Sequence, residues 1–429
     1  MPVRTIKTLK TFGVGVMCGL FSVSGAWPAS AATPPCPVAE VAQDLVSPNP
    51  VLRLKAGRRL RQAACYGAAV PLTALIADAV DEVQLEGIAG EVAIFLNKDA
   101  APKRHIGFVI EVRRDVASDA FWAGPMASTG RLAPVEVLAA LRTAAHDDNP
   151  RVAVEALYAF GAMAAEVKGL ARSEMQGANG PFLADLAGSA QPEMRVAAVA
   201  VIGRLYSRWP GEALDESVGP ALIKALADKN DTVAVVAARG IGGMHYEAAL
   251  QPLTELFTAR GTGDVAEAAL DALARIAHPS STPLFKSMLT SPIAGLRAIA
   301  VAGLARSGDR RVLPEITDAL GFERSDDVLL AVNFAWILLE NTTIDPLGEG
   351  LLRPGGHDIA LPYLTEIAAV RSVKFFAYAL DPDPRIRGDV ADILGVTRDP
   401  RGLPLVQPML KDKDPVVVAA AERAIARMQ

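Results

Sequence analysis

The chain has 429 residues, 51% of them hydrophobic but only 5% aromatic, and 76 are alanine, so its apolar mass is aliphatic and small. With 21% charged residues and a formal net charge of −5, it is too apolar to be disordered through most of its length and too acidic to bind nucleic acid by neutralising phosphates. A single apolar run, near the N-terminus, approaches membrane-spanning length, which excludes a polytopic membrane protein.

That run opens the chain. Arg4, Lys7 and Lys10 precede an apolar stretch from Phe12 to Trp27, and Ala29-Ser30-Ala31-Ala32 closes it. Basic start, apolar middle and small-residue exit are the order of a cleaved signal peptide, residues 1–31, with the cut after Ala31. A retained anchor is the competing reading, weakened by Gly13, Gly15, Gly19 and Gly25 within the run. Cleavage leaves 40 basic against 48 acidic residues and no membrane span. The expected location is therefore outside the cytoplasm, periplasmic or secreted, in a bacterium. Residues 32–48 form a Pro-rich arm that carries Cys36, and Cys65 is the other cysteine left after cleavage. An even pair in an oxidising compartment predicts a Cys36–Cys65 disulfide. It closes a loop of about 30 residues, worth about 3–4 kcal/mol in the chain-entropy model; two unpaired buried thiols are the alternative.

From residue 49 onward the chain repeats itself. Leu52, Leu85, Val152, Met194, Val233, Val265, Leu296, Val328, Ile386 and Val417 are anchors, each followed by apolar residues four and eight positions later. Such spacing drifts slowly around an α-helix and draws one narrow apolar stripe with a small central residue, for example Val233, Ala237 and Ile241. Pro71, Pro181, Pro220, Pro252, Pro283, Pro314 and Pro404 precede anchors and suit the first turn of a preceding helix. Between the two helices, Asn49-Pro50, Asn149-Pro150, Asp383-Pro384 and Asp414-Pro415 place a capping residue before an N1 proline. Arg53, Arg195, Arg297 and Arg387, each directly after an anchor, predict a charge ladder between repeats. Neither helix of a unit of about 31 residues can bury its apolar face alone, so stacking is obligatory. The predicted fold is all-α, an α-solenoid of about ten to twelve helical hairpins spanning residues 49–429.

Segments such as Gly308-Asp309-Arg310-Arg311-Val312-Leu313-Pro314 and Asp383-Pro384-Arg385-Ile386-Arg387-Gly388-Asp389-Val390-Ala391-Asp392-Ile393-Leu394-Gly395 resemble HEAT repeats. They are most similar to the short subclass called phycobilisome-lyase HEAT-like. The resemblance implies a scaffold or binding surface and transfers no catalytic residue.

Two irregular stretches, near 98–133 and 341–362, break the array, and insertions in repeat proteins often carry binding. The first holds Arg113, Arg114, Phe121 and Trp122, a candidate docking site for an acidic partner. A distorted repeat with its aromatics in the core is the alternative. The second reads as a Gly/Pro-rich loop followed by Phe375, Phe376 and Tyr378. Either the first helix of that unit is extended or a degenerate unit is squeezed in, and the aromatics serve partner binding or core packing. Residues 168–180 and 206–219 are expected to protrude as loops. The chain ends in a repeat without an evident polar cap, which predicts either a covering partner or a polar outer face through Glu422, Arg423 and Arg427.

The five histidines share no metal-ligand spacing, and neither a nucleophile elbow nor a phosphate-binding loop occurs. No catalytic residue, metal or cofactor is expected. The leading expectation is an exported scaffold that binds a protein or peptide. Competing with it are a lyase-type enzyme or subunit acting on a cofactor or pigment, and a structural subunit of a larger envelope complex.

Overall fold

The computed structural model describes residues 35–96, 104–106, 109–111, 117–208 and 215–429. The expected signal peptide and the candidate residues Arg113 and Arg114 lie outside them. Residues Cys36–Gln429 form one unit by their internal contacts.

Capping and proline placement cut this unit into hairpins. α1 (Val38–Leu45) and α2 (Pro50–Ala63) make the first, α3 (Ala69–Ile76) and α4 (Asp81–Phe95) the second. An antiparallel strand pair follows, β1 (Arg104–Ile106) with β2 (Val109–Glu111), in which His105 pairs with Ile110. It is a small addition to the all-α expectation, set in a β-branched run, Val109-Ile110. After the short helix α5 (Ala117–Trp122) the hairpins resume with α6 (Val135–Ala144) and α7 (Pro150–Ala164), α8 (Gly169–Leu186) and α9 (Pro192–Leu205), and α10 (Gly219–Ala225) and α11 (Asp231–Met244). Next come α12 (Leu250–Arg260) and α13 (Asp264–Ile276), α14 (Thr282–Met288) and α15 (Ala294–Arg306), α16 (Val312–Leu320) and α17 (Asp326–Glu340), and α18 (Asp345–Leu352) and α19 (His357–Arg371). A 3-10 segment, Ser372–Leu380, replaces the first helix of α20 (Pro384–Thr397), and α21 (Leu403–Val406) with its 3-10 extension precedes α22 (Pro415–Met428).

The second helices, α2, α4, α7, α9, α11, α13, α15, α17, α19, α20 and α22, stack in that order. The described residues thus form an α-solenoid of eleven hairpins. Their stripes form the core: Val233, Ala237 and Ile241, or Val265, Ala269 and Leu273, are fully buried. The stripe departs from this in α2, where Leu52 is 37% exposed, in α4, where Leu85 and Ala89 are half-buried, and in α17, where Val332 is half-buried and Trp336 39% exposed. There the helix turns the face bearing Phe334 toward α19, where the ring stacks on Tyr363 at 4.5 Å.

Asn49, Asn149, Asp383 and Asp414 each accept a hydrogen bond from the backbone N–H two residues on, at 2.8–2.9 Å. Six of the seven marker prolines sit in the first turn of a helix; Pro181 lies inside α8. That helix starts at Gly169 and absorbs the residues expected to protrude as a loop. The expected loop at 341–362 is mostly helical too, broken by a turn at 353–356. Asp345-Pro346 opens α18 like the other N1 prolines. Gly350 is there because a Cβ would stand 2.8 Å from Leu330 and 3.0 Å from Ala360. A degenerate unit has been squeezed in, and its glycines divide: Gly350 serves close helix packing, while Gly355, at a φ of 77°, forms the turn between α18 and α19.

The predicted charge ladder is present with all four arginines. Arg53 donates to Asp78, Arg195 to Asp228, Arg297 to Glu323 and Arg387 to Asp412, each across to the turn of the next hairpin at 2.5–2.9 Å. Each also donates to the carbonyl six residues earlier in its own turn. The acid in turn accepts from a backbone N–H of its own turn, as Asp78 does from Val80. One guanidinium therefore ties two successive turns together with charge-assisted bonds. In α4 Gln84 takes the part, donating to Asp147 at 2.8 Å. The first hairpin begins inside the expected arm, with α1, and the Cys36–Cys65 disulfide joins the residues just before α1 and just after α2, their Cα atoms 5.7 Å apart.

Candidate binding sites

The aromatic candidates separate into core and surface. Phe121 is buried, with Tyr158 at 5.2 Å and the Arg204 guanidinium 4.9 Å above its ring. Trp122 lies edge-on to Phe121 and stays half exposed. Phe375 is buried, while Phe376 and Tyr378 are half-buried against the core. The structure does not bring the two groups together as one patch.

Phe375 and Tyr378 do line a pocket of about 330 Å³, at the low end of small-ligand sites. Its walls come from α18, α19, the 3-10 segment and α20, with Ile344, Leu351, Leu364 and Ile393 among them. The 3-10 segment leaves this space because it is a thinner, tighter stand-in for a full helix. The charged residues of the lining are all acidic: Asp345, Glu349 and Asp381. Hydroxyls of Thr343 and Tyr378 donate to Asp345 and hold its carboxyl below the ordinary range, so it is ionised at neutral pH. Apolar Val373 and Leu380 stand exposed on the same 3-10 segment.

A second arrangement was not anticipated. The last hairpin meets the early ones, and the array closes on itself. Arg427 in α22 pairs with Glu166 beyond α7 at 3.1 Å and donates to the carbonyl of Pro125. Lys168 donates to the carbonyl of Arg427, and Arg398 lies 3.4 Å from that of Ala165. At Gly130 a Cβ would stand 2.8 Å from the carbonyl oxygen of Arg423, an approach only glycine permits. Arg423 is not an outward cap either, for it is buried against Asp392 with bonds of 2.7 and 3.0 Å. The chain covers its own last repeat, so both expectations for that end are corrected: neither a partner nor a polar face is needed there.

A register of arginines marks the contacts that reach beyond neighbouring hairpins. Arg204, Arg275, Arg306 and Arg427 each lie ten residues after an anchor, at the C-terminal end of a second helix. Cations are favoured there by the helix dipole. In an open array each unit touches only its neighbours, yet three of these arginines reach past one. Arg204 donates to the carbonyl of Phe121 at 3.1 Å, Arg306 makes two 2.9 Å bonds to Glu366 two hairpins on, and Arg427 crosses to Glu166. Arg275 instead pairs with Asp271 at 2.7 Å. His245 lies within reach of Arg208, Glu366, Arg275 and Arg306; burial, then the guanidiniums, hold it below its ordinary value. The convergence is rich in cations although the whole chain is acidic.

Two carboxyls near the start of the array differ. Glu155 accepts from the Ala117 N–H at 2.6 Å and from Ser118. Glu91 is fully buried with neither oxygen bonded, and burial pushes it up to about 9.

No protein-family model matches the chain, and no curated protein matches it. Among solved structures, an engineered protein is similar at 17% identity and a TM-score of 0.44, covering 91% of this chain and 98% of its own. The Kap95:Nup1 complex is similar at 14% and 0.41, over 91% of this chain and 56% of that one, so the chain spans about half of that neighbour's length. A designed armadillo repeat protein is similar at 22% and 0.37, over 63% and 99%.

Proposed function

We propose that this chain is an exported, non-catalytic scaffold, and that the pocket between α18 and α20 grips a segment of a protein or peptide partner. The observation that carries this reading is the pocket's composition: aliphatic and aromatic walls whose charged members are three carboxylates and no cation. Such a site fits an apolar side chain flanked by lysine or arginine, the apolar group filling the cavity and the cation meeting the rim. Export is supported by the basic, apolar and small-residue order of residues 1–31 and by the disulfide.

Gly348 lines the pocket, and nothing stands within 4 Å of a Cβ placed there. Gly348→Phe is therefore expected to fill the cavity without disturbing the helix. Against an immobilised peptide library, the wild-type protein is expected to select apolar residues beside Lys or Arg, and the variant to lose at least tenfold in affinity. Selection of acidic peptides, or binding indifferent to G348F, contradicts the proposal.

A further inference from the structure

The closing junction leaves an imbalance of charge. Glu166 is only 4% exposed, and it accepts from Nε and Nη2 of Arg427, itself 3% exposed. Lys168 and Arg204 both act electrostatically on this carboxylate and on Arg427. Among the described residues, one carboxylate therefore faces the three cations Lys168, Arg204 and Arg427. Two of these guanidiniums also keep a donor unused: Nη1 of Arg427 and Nε of Arg204 are buried and make no hydrogen bond. Burial comes first and Arg427 also opposes the charge, and together they bring Arg204 down to about 10 even though Glu166 favours it. Among the described residues, Arg204 is otherwise satisfied by the Phe121 carbonyl and ring.

Burying unmatched cations is expensive, and buried charges in proteins are paired. We propose that a small oxyanion, phosphate, sulfate or a carboxylate, binds at Lys168, Arg204 and Arg427 and fastens the last hairpin to the early ones. Guanidinium groups suit this class because their N–H donors match two oxygens of one anion at once. Glu166 shares the site and favours ions that gain several donors over a lone chloride. Since only the closed array assembles the three cations, the anion stabilises closure by mass action.

The experiment follows the thermal midpoint of the full exported chain against inorganic phosphate, sulfate or acetate, with sodium chloride at matched ionic strength. A saturable rise with an oxyanion but not with chloride is expected. Arg204→Met leaves the Arg427–Glu166 pair intact and is expected to weaken oxyanion binding at least tenfold; R204K is expected to recover part of it. If R204M does not fold, Lys168→Met, from a half-buried site, is read in the same way. A midpoint that tracks ionic strength alone, or oxyanion binding unchanged in both variants, overturns the proposal. Binding lost here leaves peptide capture at the α18–α20 pocket untouched, so the two readings fail separately.

Discussion

Replacing Arg427 with Met is expected to release the last hairpin and to lower stability by about 3 kcal/mol, the usual scale for breaking a buried ion pair. The loss comes from the two direct bonds to buried Glu166 and the bond to the Pro125 carbonyl, which the more distant charges of Lys168 and Arg204 do not replace. Urea unfolding measures it. The pH dependence supplies a second readout. Burial raises the Glu166 pKa, but the charge and hydrogen bonds of Arg427 outweigh it, and the carboxyl sits below its ordinary 4.5. A depressed carboxylate contributes stability that is present above its unfolded value and lost as pH falls through the folded one. The wild-type protein should therefore lose stability on acidification below about pH 4.5, and R427M should lose less there. An unchanged urea midpoint for R427M contradicts this role.

Glu91→Met is expected to act in the opposite direction, raising stability at neutral pH by about 3 kcal/mol. With a folded pKa of about 9 against an ordinary 4.5, the buried Glu91 carboxyl is protonated in the native protein at pH 7 and ionised in the unfolded chain. Its contribution to stability is greatest below pH 4.5 and falls as pH rises toward 9. Methionine keeps the volume and removes both unbonded oxygens. The stabilisation should be small at pH 5 and grow by pH 7, a trend that thermal midpoints at the two values test. A constant gap, or a less stable variant at both, contradicts the assignment.

Much of the fold is written locally. A cap such as Asn149 acts within two residues, and the Arg195–Asp228 rung spans one repeat, so both follow from spacing. Residues 169–180 and most of 341–362 are helical despite their Gly and Pro, because these residues signal turns only when nothing else requires them. Gly350 is required by Leu330 and Ala360, which lie far from it in sequence. Closure was hidden for a different reason: it depends on small rotations accumulated over eleven hairpins, which no single repeat encodes. Its chemical trace was visible nonetheless. Arg204, Arg275, Arg306 and Arg427 all stand ten positions after an anchor. Of the candidate aromatics, Phe375 and Tyr378 lie where a pocket forms, whereas Phe121 belongs to the core.

Closure is the claim on which the junction rests, and a distance tests it. Arg131 and Glu422 are exposed residues on early and last hairpins, and they line one common cavity. Spin labels at these two positions, with the native cysteines joined in their disulfide, report their separation by pulsed electron resonance. The closed array predicts one narrow distribution at short distance. A broad distribution near roughly 70 Å, the span of the intervening stacked helices at 8–10 Å each, would contradict it.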